Sequence, residues 1–91
     1  MAKYGYLCFI RFTHDYLSSV DMSDWRERPK KLAEKHGFKM HFAGSPWGTD
    51  DHAVIICSSE KQLSDWSKFI QEWLRDGKVT GTRTVLVNIP D

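Results

Sequence analysis

Most of the features that announce a partner or a compartment are missing from this chain. No run approaches the roughly 18 to 20 apolar residues that a membrane-spanning helix needs. The opening stretch MAKYGYLCFIRF does not read as a secretory leader, because Arg11 interrupts its apolar run and no small-residue cleavage site follows. Cysteine is scarce: Cys8 and Cys57 are the two present, they form no CxxC pair, and both lie in apolar strand-like runs. They are expected to be buried, reduced thiols, which points to the cytoplasm. An excess of either charge is lacking too. Thirteen Lys and Arg face 12 Asp and Glu, a net charge of +1, so composition gives no case for a nucleic-acid partner. The basic positions Arg26, Arg28, Lys30, Lys31 and Lys35 alternate with Asp24, Glu27 and Glu34, as on a solvated helix face. Linkers, repeats and low-complexity tracts are absent, and residues 1–91 read as one domain. What is present in quantity is apolar and aromatic, at 41% and 13%. That is enough for a core, yet a domain this small buries a modest share of its surface and gains from a partner.

Residues 3–12, KYGYLCFIRF, predict a strand with two apolar faces. Tyr4, Tyr6, Cys8, Ile10 and Phe12 point one way, Leu7 and Phe9 the other. A strand apolar on both sides is covered on both sides. Helices of the same chain cover one face, so the other is expected to meet a second subunit. A first helix follows, with Met22, Trp25, Pro29, Leu32, Ala33 and His36 on one arc. Pro29 either kinks this helix or stands in the first turn of a helix starting near Arg28. The unbroken phase favours one kinked helix, stopped at Gly37.

Alternation over Phe38–Ala43 predicts a second strand, and GSPWGTDD a turn before the third strand, HAVIICS. With residue 44 opposite 52, Phe38, Met40, Phe42, Val54 and Ile56 share one face, and His41, Ala43, Ala53, Ile55 and Cys57 the other. Ser59 with Gln62 reads as a capping box opening the second helix, with Gly77 as its stop. Its apolar stripe has an aliphatic edge, Leu63, Ile70 and Leu74, and an aromatic edge, Trp66, Phe69 and Trp73. Residues 82–89 predict a fourth strand, ended by Pro90. The order β-α-β-β-α-β with right-handed crossovers gives a four-stranded antiparallel sheet under two helices, the ferredoxin-like arrangement of the α+β class.

That arrangement hosts many functions. The third strand lacks the aromatics of an RNA-recognition motif. The loop RFTHDYLSSVD has neither the glycine-rich phosphate loop of an acylphosphatase nor the CxxC of a metal-transporting domain. The doubly apolar strand YGYLCFIRF, the helix LSDWSKFIQEWL and the G-x-P-W-G hairpin resemble the dimeric α/β-barrel superfamily. That superfamily includes antibiotic-biosynthesis monooxygenases and muconolactone-isomerase-like proteins. The resemblance implies a homodimer with sheets packed face to face and a cavity between sheet and helices. No metal and no cofactor is expected.

Candidate site residues follow from residue chemistry. His14 stands after the first strand beside Asp15, where an imidazole could serve as a general base. Neighbours in an extended segment point apart, however, and Asp15 could equally cap a turn. Arg11 could hold an anionic ligand near His41, or could form an interface ion pair. Trp25, Trp66 and Trp73 could wall a pocket for a flat apolar molecule or fill the core, and Tyr16 could line its entrance. Trp47, in the turn with Asp50, Asp51 and His52, is expected to cover a cavity end or a partner. His41 and His52 point to opposite faces and are not expected to share a metal. Two readings stand: a small-molecule-binding dimer, with a cofactor-independent monooxygenase or isomerase as its enzymatic form, or a non-catalytic structural or regulatory dimer.

Overall fold

The computed structural model of the protein describes residues 3–89. Pro90, read as the last strand's stop, lies outside the described residues. Four strands, β1 (Lys3–Phe12), β2 (Lys39–Gly44), β3 (Ala53–Ser59) and β4 (Val79–Ile89), form one antiparallel sheet in the order β2-β3-β1-β4. Three helices, α1 (His14–Leu17), α2 (Glu27–Lys35) and α3 (Leu63–Leu74), make up the rest with a 3₁₀ turn at Val20–Asp24. This is the expected α+β, ferredoxin-like arrangement, with β1 and β3 central as the apolar composition of both predicts.

The core lies between one sheet face and the long helices. Tyr6, Cys8, Ile10 and Phe12 of β1, with Ala53, Ile55 and Cys57 of β3, are buried against Leu32 and Ala33 of α2 and Trp66, Phe69 and Trp73 of α3. Aromatic contacts tie these layers together. Tyr6 stacks on Trp66 at 4.6 Å between ring centroids, and Phe38 meets Trp66 edge-on at 5.2 Å. On the helix surface, Arg28 pairs with Asp76 and Lys35 with Glu72, both at 2.9 Å, linking α2 to the end of α3. The Lys35 hydrogen bond holds the Glu72 carboxyl below its ordinary range.

The α2 region departs from the single kinked helix read from the sequence. The 3₁₀ turn ends at Asp24, and α2 begins afresh at Glu27. Pro29 falls in its first turn, where no backbone N–H is needed. The apolar arc is kept across the break: Trp25, Pro29, Leu32 and Ala33 are all buried. Gly37 adopts φ +86° and turns the chain into Phe38, whose N–H donates to the Ala33 carbonyl at 2.8 Å. The start of α3 also differs. Gln62, not Ser59, is the N-cap, in a reciprocal box with Asp65. Ser59 Oγ instead donates to the Gly37 carbonyl at 2.8 Å and accepts from the Lys61 N–H.

The β2–β3 register is also corrected. Gly44 pairs with Val54 rather than with residue 52, and a bulge falls between Met40 and Phe42. The extra residue shifts the phase of β2. Phe38 and Met40 therefore pack into the core, while Phe42 stays with Val54 and Ile56 on the outer face. His41, placed by simple alternation on the core face, instead reaches Ser58, which lies across from Gly5 on the outer face.

Cys8 and Cys57 are free, buried and fully inside the core. Burial pushes the Cys8 thiol up to about 11, against weaker opposing hydrogen bonds from Thr84 and Thr82, and the Cys57 thiol up to about 12. At neutral pH the thiolate of Cys8 is then on the order of one part in 10,000. Neither cysteine is expected to react with Ellman's reagent at pH 7.5 over minutes in the native protein, and both should react promptly in guanidinium. Rapid native labelling of either would contradict this packing.

Candidate functional site

The crossover places α3 against β1 and the edge strand β4, and the two sides of α3 meet different surroundings. The aromatic edge points inward: Trp66, Phe69 and Trp73 are buried. The aliphatic edge lies over β4, where Leu63 is half exposed and Ile70 is nearly covered. No strand continues the sheet beyond β4 among the described residues, so the layer under this edge is thin.

The result is an open groove between α3 and β4, about 300 Å³ in volume, walled by Leu63, Trp66 and Ile70, with Ser67 and Gln71 at its rim and Thr82 and Thr84 on its floor. A second hollow of about 230 Å³ shares Leu63 and adds Tyr4, Tyr6, Gln62 and Leu86. Period-two alternation in β4 turns Thr82, Thr84 and Leu86 to the helix side, opposite Ile10, Cys8 and Tyr6 of β1. The Trp66 indole N–H donates to Thr84 Oγ1 at 2.9 Å, which fixes the ring plane along the groove wall. Apolar walls with a few fixed hydroxyls are the usual lining of a small-molecule site, and this volume lies near the small end of such sites. No histidine, carboxylate or lysine lines either hollow.

The residues singled out from the sequence are dispersed. Trp66 alone among the three tryptophans reaches the groove. Trp73 stacks on Phe69 at 6.1 Å inside the core, and Trp25 packs on Phe12 at 5.5 Å. Tyr16 lies over Phe12, with its hydroxyl donating to the Asp21 carbonyl at 3.4 Å, and lines none of the hollows. His14 and Asp15 open α1, capped by Thr13, and His14 is exposed with no side-chain hydrogen bond among the described residues. Trp47 stands almost wholly in solvent at the hairpin tip, 97% exposed.

Arg11 and His41 do not meet. Arg11 is held at one end of the outer face, donating to the Asp50 carbonyl. There Arg83 pairs with Asp51 at 3.1 Å and lies over the Phe9 ring at 4.8 Å. His41 is at the other end, with Nε2 2.6 Å from Ser58 Oγ. The six residue steps along β1 from Gly5, beside Ser58, to Arg11 separate these ends by about 20 Å. His52 Nδ1 accepts the Phe12 backbone N–H at 2.9 Å, so its lone pair is taken. No group of three His, Cys, Asp or Glu side chains able to grip a metal occurs among the described residues.

The outer sheet face has no cover. Phe42, Val85, Val87 and Ile89 are exposed beside half-buried Leu7, Phe9, Val54 and Ile56. No described helix is long and apolar enough to cross a membrane.

No protein-family model matches the chain, and no curated protein does. Solved structures do. The chain superposes on a DABB family protein with a ferredoxin-like fold from Mesorhizobium loti at a TM-score of 0.67. That match has 12% identity and covers 100% of this chain and 99% of that one. A mutant chlorite dismutase from Candidatus Nitrospira defluvii matches at a TM-score of 0.57 and 16% identity. It covers 98% of this chain but 41% of the dismutase, so the present chain spans about two fifths of that protein. At such identities the likeness is one of fold.

Proposed function

We propose that the protein is a homodimer that binds a flat apolar small molecule in the groove between α3 and β4. The observation that carries the ligand half is the lining itself: Leu63, Ile70 and the Trp66 ring, with Thr84 and Thr82 hydroxyls beneath. The uncovered outer face supports the dimer half, since contiguous exposed apolar surface on a small protein commonly marks an interface. The DABB family fold match and the resemblance of the first strand to dimeric α/β barrels support the same assembly. The two buried, free thiols are in keeping with a reducing compartment, the cytoplasm.

A binding role is favoured over acid–base catalysis at this groove. Proton abstraction needs a base within hydrogen-bond reach of the substrate, and His14, His41 and Arg11 all lie elsewhere. Such a module would carry, sense or sequester its ligand.

The test is a titration of ¹⁵N-labelled protein with 1-naphthol, followed at the Trp66 indole N–H resonance. That signal is expected to shift saturably. Leu63→Glu charges the wall at an exposed position and is expected to weaken binding at least tenfold, about 1.4 kcal/mol. A Trp66 resonance that stays fixed, or an unchanged affinity in Leu63→Glu, would remove the groove as the site.

A further inference from the structure

The His41–Ser58 pair belongs to no part of the groove, and it borders a different cleft. At the end of the sheet where β1 and β2 begin and β3 ends, an open cleft of about 470 Å³ is lined by Lys3, Lys39 and Lys61, with Gly37, Ser58, Ser59 and Glu60. Three lysines and one glutamate line this cleft, in a chain whose net charge is only +1. None of the three lysines is in an ion pair among the described residues, although Arg28, Lys35 and Arg83 each are.

The floor of the cleft is tied together by hydrogen bonds. Ser59 Oγ bridges the Gly37 carbonyl and the Lys61 N–H, and the Tyr6 hydroxyl donates to the Lys61 carbonyl at 2.8 Å. The Ser58 side chain is held at the same place by His41 Nε2 at 2.6 Å. When that nitrogen carries its proton and donates to Ser58 Oγ, the hydroxyl hydrogen is left free to turn into the cleft. Lysines brought together without carboxylate partners repel one another, and a dianion among them relieves that repulsion and takes charge-assisted hydrogen bonds.

We infer that this lysine cleft binds a phosphate dianion, with Lys3, Lys39 and Lys61 supplying charge and Ser58, oriented by His41, a directed hydroxyl. The dianion is either free phosphate or the phosphoryl group of a small organic monoester, for which the cleft leaves room. The site is separate from the apolar groove; Lys39 pairs with Ser58 at the end of the outer sheet face, so the cleft borders the margin of the surface proposed for the dimer.

Titration of ¹⁵N-labelled protein with inorganic phosphate, and separately with glycerol phosphate, tests this at low salt. Amide resonances of Lys39, Ser58, Ser59 and Lys61 are expected to shift saturably, with a dissociation constant on the order of 1 mM or tighter. Equal affinities would identify phosphate alone as the ligand, and tighter binding of the ester a phosphorylated small molecule. The double variant Lys39→Ala/Lys61→Ala changes exposed residues and should fold normally. It is expected to lose at least tenfold in affinity, and Ser58→Ala several-fold. Shifts that fail to saturate, that are spread over the surface, or that persist unchanged in the double variant would overturn the site.

Discussion

Trp66→Ala is expected to cost about 3–5 kcal/mol of folding stability, the range for truncating a large buried aromatic. Against a total of roughly 5–15 kcal/mol for a natural domain, this would leave much of the population unfolded at 37 °C. The side chain is 2% exposed, stacks on Tyr6, and meets Phe38 and Phe69 edge-on. Its removal opens a cavity where β1, Phe38 and α3 converge, which the neighbours can relax into only in part. Trp66→Phe separates packing from polarity. It keeps much of the stack and loses the indole N–H to Thr84, whose half-exposed hydroxyl can turn to water, so a loss nearer 1 kcal/mol is expected. Denaturant melts of both variants provide the check. An alanine variant within about 1 kcal/mol of wild type would mean the aromatic cluster is not the keystone of this core.

Val85→Asp/Val87→Asp is expected to abolish self-association. Both side chains lie on the outer face of the edge strand, each more than 40% exposed in the monomer, so folding should survive. Packed sheet to sheet, each copy would bring two carboxylates into an apolar interface, and unpaired buried charge is strongly unfavourable. The dissociation constant is expected to rise at least a hundredfold, about 2.7 kcal/mol. Circular dichroism should be unchanged while sedimentation shows a monomer. A variant still dimeric at wild-type concentration would place the interface elsewhere, the exposed Trp47 hairpin being the next surface to test.

The fold was legible in the sequence because its signals are local and redundant. The two-faced composition of β1, the apolar arc through Leu32 and Ala33, and the α3 stripe each carry their own periodicity. The errors arose where one residue resets a phase. Pro29 continues the helical arc, so the break before Glu27 is invisible to periodicity. The bulge at His41 adds one residue to β2 and moves Phe38 and Met40 to the opposite face from the one alternation assigns.

The candidate groove was only partly legible. The contrast between the aliphatic and aromatic edges of α3 was visible, and Trp66 with it. The threonines that floor the groove were not, since Thr82 and Thr84 gain meaning only once β4 is known to be the edge under α3. Residue chemistry drew attention to histidines and arginines, which tertiary structure sends to opposite ends of the sheet. Lys3, Lys39 and the Ser58–Lys61 stretch come from three separate segments and could not be grouped before the strand order was known.

Native mass spectrometry of the wild-type protein, as purified and at micromolar concentration, tests the central claim most directly. The account predicts a dominant species at twice the 10.6 kDa chain mass, with any retained small molecule seen as added mass. A bare monomer under the same conditions would contradict it and leave the apolar outer face without the partner proposed for it.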